Sequence, residues 1–234
     1  MLFLLYINDV PDNLISKTFL YADDTSIYMP INRENPIQNL ALLQQDLNSL
    51  SQWSRQWHII FKPSKSIDIT FTKSGTSNYQ DLFLDANPIP QKLSHKHLGF
   101  ILDNNLNFNA HVIDLASKVQ KKINPLKFLS KSLKSCYLET IYLSFIRPHF
   151  DYCDILYNSA NKTNLDRLER IHYQAALHVS GCIHGSNTQK VLSCLNWQNL
   201  SSRRAERLKF YMFKTCKLSP PVYIPVYSTR TKTK

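Results

Sequence analysis

Glycine is scarce in this chain, four residues in 234, which speaks against a glycine-rich loop that cradles phosphates. Long apolar runs are missing too, and no stretch is long enough to cross a bilayer. The start Met1-Leu2-Phe3-Leu4-Leu5 is apolar but lacks a basic leader and a small-residue cleavage site, and Asn8-Asp9 ends the run early. It therefore does not read as a secretory signal. Five cysteines (Cys136, Cys153, Cys182, Cys194, Cys216) are an odd number without paired spacing. They speak for reduced thiols in an intracellular protein, nuclear or cytoplasmic and not secreted, over a disulfide framework. Cys182, His184 and Cys194, with Cys216, have ligand-type chemistry, but their spacing matches no standard zinc finger. No Ser-His-Asp or Cys-His arrangement stands out, and there is no internal repeat.

Acidic charge is short in one part of the chain only. Of 28 Lys/Arg and 17 Asp/Glu, residues 1–90 hold six and nine, leaving 22 and eight for the remainder. All of the net positive charge thus lies C-terminal, an asymmetry that points to an anionic partner. Lys118, Lys121 and Lys122 share one helical face by the i, i+3, i+4 rule, and Lys127, Lys131 and Lys134 continue the run. Arg203, Arg204, Arg207 and Lys209 form a second cluster. Taken alone, either cluster reads equally well as a solvated helix face.

What is present is a carboxylate doublet in an apolar setting. Tyr21-Ala22-Asp23-Asp24 lies between Thr18-Phe19-Leu20 and Ser26-Ile27-Tyr28-Met29. Two adjacent carboxylates at the tip of an apolar hairpin repel, and the flanking β-formers give them no structural task. A hard cation offsets that repulsion. Mg²⁺ takes one or two carboxylates together with nucleotide phosphates, and two such ions clamp the attacking and leaving oxygens of an in-line displacement. Four specified residues arise by chance in about one chain in a thousand of this length, so the setting carries much of the weight.

That setting is Leu2-Phe3-Leu4-Leu5-Tyr6-Ile7-Asn8-Asp9-Val10-Pro11, a short spacer, then the doublet. Together these residues resemble the reverse transcriptases of non-LTR (LINE-type, jockey-like) retrotransposons, where an apolar helix ending in Asn-Asp-x-Pro feeds the metal-binding hairpin of a polymerase palm. Lys62-Pro63-Ser64-Lys65-Ser66 is similar to the family's lysine-bearing segment. His97-Leu98-Gly99-Phe100-Ile101-Leu102-Asp103, with Leu106, Phe108 and His111, is similar to its primer-grip hairpin. Ile146-Arg147-Pro148 with Asp151-Tyr152 is similar to its helical thumb.

The resemblance implies an α+β fold: a partial polymerase palm of antiparallel strands with packed helices, then a mainly α-helical thumb. Residues 1–110 are expected to form the C-terminal part of the palm with its primer-grip-like hairpin, 111–227 the helical region, and 228–234 a disordered basic tail. It also implies RNA-directed DNA polymerisation with two Mg²⁺ ions, an RNA template, a DNA primer and an incoming dNTP. Asp23 and Asp24 would hold metal, Tyr21 and Ala22 would line the primer end, and Leu98 and Gly99 would position the primer strand. Lys65 resembles the lysine that protonates or neutralises the leaving pyrophosphate, although a surface lysine before a strand is the commoner case. Lys118, Lys121 and Lys122 would bind the phosphate backbone.

The family's other metal-binding aspartate, its Pro-Gln-Gly loop, its fingers and its endonuclease have no counterpart in these residues. Asp9 and Asp12 fall on a helix end and turn and do not replace that aspartate. The expectation is a truncated reverse-transcriptase domain with negligible polymerisation of its own. Two alternatives stay open: a non-catalytic nucleic-acid-binding remnant of a mobile element, and a chain completed by a separately encoded N-terminal half. No membrane partner is expected.

Pattern reading places a helix over 2–10, a hairpin over 16–30, and a helix from Asn35-Pro36 to about His58 with Leu40, Leu43, Leu47, Leu50 and Trp57 on one stripe. Trp53 and Trp57 read as core. Strands are expected over 67–72, 82–84 and 98–102, with Asp103-Asn104-Asn105 turning onto Leu106–Phe108. Helices are expected over 111–130, 134–147, 163–180 and 201–217, with Gly181 as a stop. Pro220-Pro221 and Pro225 are expected to end the fold.

Overall fold

Apolar residues at a 3.6-residue period dominate the middle and the second half of the chain, and helices dominate the structure accordingly. The structure is a computed structural model and describes residues 2–32, 34–72 and 79–217. The tail at 228–234 and the prolines at 220, 221 and 225 lie outside the described residues. Backbone packing divides the chain at His95/Lys96 into two compact units.

The first unit opens with helix α1 (Leu2–Tyr6), whose five side chains are all exposed. The helix expected over 2–10 is this short because a turn intervenes before a 3₁₀ turn at Val10–Asn13, where Pro11 sits near the start. Strands β1 (Lys17–Tyr21) and β2 (Asp24–Tyr28) then pair antiparallel, Lys17 opposite Tyr28 and Tyr21 opposite Asp24. Helix α2 (Pro36–Trp57) follows, with Asn35 at its N-cap and His58 closing it at φ 55°. Its stripe meets Ile7, Val10, Leu82, Leu84 and Ile89 in a small core that Leu20 and Ile27 of the hairpin also touch. Trp53 is buried in that core, whereas Trp57, at the helix end, is 37% exposed with Tyr6 edge-on to it.

The strand expected over 67–72 does not form. That segment makes one parallel bridge, Asp68 to Gln91, with the Asp68 N–H donating to Pro90 O at 3.1 Å and the Lys92 N–H donating to Asp68 O at 2.9 Å. Alternating apolar residues define a face but supply no partner edge. Strands β3 (Phe83–Leu84) and β4 (Asn87–Pro88) make a minimal pair.

The second unit begins inside a hairpin of β5 (Ser94–His97) and β6 (Phe100–Asp103). Its turn is Leu98-Gly99, both at positive φ, 47° and 82°. The expected strand over 98–102 therefore starts two residues later, and no strand forms at 106–108. Instead Asp103 is buried and accepts the N–H groups of Asn105, Asn107 and Phe108, at 2.7 Å for the last. Those bonds fold the chain straight into helix α3 (Asn109–Leu129). Phe100 and Phe108 pack on the helices, within the C-terminal unit.

Helix α4 (Ser135–Ile141), a π-helical turn (Tyr142–Ile146) and helix α5 (Arg147–Asp151) form one continuous helical rod. The π turn precedes Pro148, which has no N–H to close an α-helical bond. A short helix α6 (Asp154–Tyr157) leads to α7 (Lys162–Ser180), capped by the Asn161 side chain and stopped by Gly181 at φ 72°. Helix α8 (Thr188–Cys194) is capped by Asn187, and α9 (Leu200–Lys217) follows. Val112, Ala116, Val119, Leu168 and Ala175 are fully buried where α3 and α7 pack.

Candidate metal and nucleic-acid site

The carboxylate doublet sits where its hairpin turns. Tyr21 ends β1, Ala22 and Asp23 make the two-residue turn, and Asp24 starts β2. Ala22 adopts φ 51°, a left-handed conformation that costs a non-glycine residue about 1 kcal/mol. All four residues are exposed, Tyr21 at 68%. The doublet thus projects from the fold.

What holds the hairpin is a residue the motif does not include. Asp46 of α2 is buried, and its carboxylate accepts the Ile15 N–H at 2.9 Å and the Ser16 N–H at 2.7 Å, just before β1. Asp9 is likewise structural: it accepts the Trp53 indole N–H at 3.3 Å. Lys65 lies exposed on a separate 3₁₀ turn, Pro63–Lys65. Among the described residues, no group of three or more His, Cys, Asp or Glu gathers to hold a metal ion. Asp23 and Asp24 match Mg²⁺ in donor type, as hard exposed oxygens, and fall short of a complete set in number. Cys182, His184 and Cys194 form no ligand cluster either, and all five cysteines are free.

In the second unit Leu98 and Gly99 form a tip tethered from the side. The Tyr152 hydroxyl donates to Leu98 O at 2.5 Å, and a Cβ placed on Gly99 would lie 4.0 Å from the Tyr152 ring. His111 is buried against Phe100, ring centroids 4.0 Å apart, and its Nδ1 accepts the Ile101 N–H at 3.3 Å. Burial pushes its pKa below the usual imidazole value. It is a core histidine.

The lysines of α3 divide. Lys118 is paired with Asp114 at 2.5 Å, which holds its pKa up. Lys122 places its ammonium 3.7 Å from the centroid of the Phe145 ring. Lys121 is exposed. The arginine cluster of α9 is used internally, contrary to its reading as a phosphate patch. Arg203 grips both oxygens of Asp151, at 3.0 and 2.9 Å, and Arg207 binds Asp151 at 2.9 Å and Asp154 at 3.2 Å. Arg204 is 4% exposed and reaches Asn158 and Glu169. Spacing alone cannot separate a cation awaiting a phosphate from one that has met a carboxylate fifty residues away.

Sequence reasoning also missed a buried polar relay. Tyr142 Oη lies 2.5 Å from His172 Nδ1, His172 Nε2 lies 3.1 Å from Gln198 O, and Trp197 stacks on both rings. Burial lowers the His172 pKa to about 4 and raises that of Tyr142. The Trp197 indole N–H donates to Glu139 at 2.9 Å. No helix among the described residues is long and apolar enough to cross a membrane.

In sequence, the chain is similar to a group of polymerases. The chain is 27% identical over 190 residues to a probable RNA-directed DNA polymerase from transposon X-element of Drosophila melanogaster. It is 21% identical over 194 residues to the RNA-directed DNA polymerase from mobile element jockey of Drosophila funebris. A probable RNA-directed DNA polymerase from transposon BS of Drosophila melanogaster is 23% identical over 194 residues. These matches cover 78%, 82% and 80% of this chain but 21% of each relative. No protein-family profile matches, and no solved structure matches. Over about four-fifths of its length, the chain is similar to RNA-directed DNA polymerases of non-LTR retrotransposons, and it spans roughly a fifth of their length.

Proposed function

We propose that the chain supplies the metal-binding hairpin and the nucleic-acid-binding helices of an RNA-directed DNA polymerase from a mobile element. The observation that carries this reading is the Asp23-Asp24 doublet, solvent-facing at a two-residue hairpin turn, in a chain whose curated relatives are such polymerases. The first unit is then the C-terminal part of a palm, and the second a helical thumb that brings its own hairpin.

In that role the residues divide the work. Asp23 and Asp24 would hold Mg²⁺, whose charge lowers the pKa of a primer 3′ hydroxyl and steadies a triphosphate. Tyr21 and Ala22 line the approach of the primer end, where the short Ala22 side chain leaves room. Lys65 offsets charge on the leaving pyrophosphate. Leu98 and Gly99 present a fixed tip to the primer strand, and Lys118, Lys121 and Lys122 face the phosphate backbone. The partners are an RNA template, a DNA primer and a dNTP.

A second reading, a nucleic-acid-binding remnant without catalysis, draws on the absence of a three-ligand group among the described residues. Both readings require primer–template binding that weakens steeply with salt. Fluorescence anisotropy of a labelled primer–template over a salt series tests them together. Salt-dependent binding that survives Asp23→Asn is expected, and a folded chain that leaves the duplex free would contradict both.

A further inference from the structure

Phe145 is out of place for a helix-packing aromatic. It lies in the π turn at Tyr142–Ile146, is 62% exposed, and carries the Lys122 ammonium at 3.7 Å from its ring centroid. Single π turns recur at functional positions because the added residue re-aims a side chain. Four residues on, the half-buried His149 lies close enough to Lys122 and Lys118 to feel both charges; burial first, then these ammoniums, lower its pKa. Three residues further, Tyr152 stands 48% exposed with its hydroxyl on Leu98 O. Lys96 of β5 is exposed and within reach of Lys118. Phe145 and His149 thus lie on the rod and Tyr152 just past its end, with three lysines nearby, of which Lys118 is ion-paired with Asp114.

We infer that this strip, Phe145–His149–Tyr152 flanked by Lys96, Lys118 and Lys122, is the track for one nucleic-acid strand, with unpaired bases stacking on Phe145 and phosphates facing the lysines. The inference rests on the polymerase reading and specifies where the C-terminal unit holds its nucleic acid. Stacking on spaced aromatic rings within a basic groove is how single strands are held without regard to sequence. A lipid surface would call for contiguous apolar area, which alternating cations interrupt. An acidic peptide would satisfy the lysines and leave the Phe145 ring without a partner.

The test is anisotropy of a fluorescein-labelled oligo(rU), and of oligo(dT), with the full chain and its Phe145→Leu, Phe145→Tyr and Lys122→Gln variants. Thermal melting confirms that each variant is folded; Phe145→Tyr keeps the ring should Phe145→Leu fail to fold. Phe145→Leu is expected to weaken binding about tenfold while Phe145→Tyr stays within about twofold. Lys122→Gln is expected to reduce the slope of log affinity against log salt by about 0.7. Wild-type affinity in Phe145→Leu would place the strand elsewhere and leave the polymerase reading standing. Should Phe145→Leu not fold, an unchanged Lys122→Gln slope would do the same. No binding by the folded wild-type chain would overturn both. Displacement of the oligonucleotide by polyglutamate at equal charge concentration would reassign the strip to an acidic peptide.

Discussion

The Asp46 carboxylate on α2 accepts the backbone N–H of Ser16 at 2.7 Å, with both residues buried. This bond and its neighbour to Ile15 fix where the strand leading to Asp23 leaves the core. Asp46→Ala leaves two backbone donors without their acceptor. The expected loss of stability is about 2–3 kcal/mol, at the upper end for a hydrogen bond because the acceptor is charged. Urea denaturation of the variant measures it, and an unchanged midpoint would show that water replaces the carboxylate.

The His172 relay makes stability pH-dependent. The folded-state pKa, about 4, lies below the unfolded value of about 6.5, so the unfolded chain binds the proton more readily. Stability contributed by neutral His172 is present above about pH 6.5 and is lost as pH falls towards 4. Between pH 7 and pH 5 the loss is about 2 kcal/mol. His111, His149 and His178 are also lowered by burial and act in the same direction. Chemical denaturation at the two pH values should show the loss, and His172→Gln should flatten it.

How much of this was legible in the sequence depends on where each residue finds its partner. Helix ends were readable because their signals are local: Asn35-Pro36 opens α2, and Gly181, at φ 72°, donates its N–H to Leu177 O and closes α7. Asp46, Asp151 and His172 were not readable, because each meets groups thirty or more residues away. The 67–72 segment has a strand's composition but, among the described residues, bridges through Asp68 to Gln91 and forms no strand, so composition misled. The π turn at Tyr142–Ile146, in which Phe145 is exposed, has no local signal in the sequence beyond Pro148. The exposed hairpin position of the doublet was legible, since two carboxylates at a turn declare their exposure locally.

Asp151 is the hub that occupies Arg203 and Arg207. Asp151→Asn is expected to destabilise the second unit by about 2–3 kcal/mol, since it leaves guanidiniums facing one another with less compensating charge. Arg203→Gln, by contrast, should leave the salt slope of oligonucleotide binding unchanged, because this guanidinium is committed to a carboxylate. A reduced slope in that variant would show that Arg203 reaches phosphate.

The two hairpin turns differ in a testable way. Ala22 sits at φ 51°, so Ala22→Gly should stabilise the chain by roughly 0.5–1 kcal/mol in thermal melts. Gly99→Ala should destabilise it by about 1 kcal/mol through conformation alone, because the added Cβ meets the Tyr152 ring at an ordinary 4.0 Å. A larger loss would reveal a tighter turn than the geometry shows.

Primer extension on an RNA template with Mg²⁺ tests the central claim most directly, using the chain and its Asp23→Asn variant. The expected result is duplex binding by both proteins and nucleotide incorporation by neither, because two carboxylates do not complete the ligand set. Addition of the N-terminal part of a related polymerase should then restore incorporation with Asp23 and not with Asn. Incorporation by the chain alone that Asp23→Asn abolishes would contradict this, by showing that another carboxylate already completes the site.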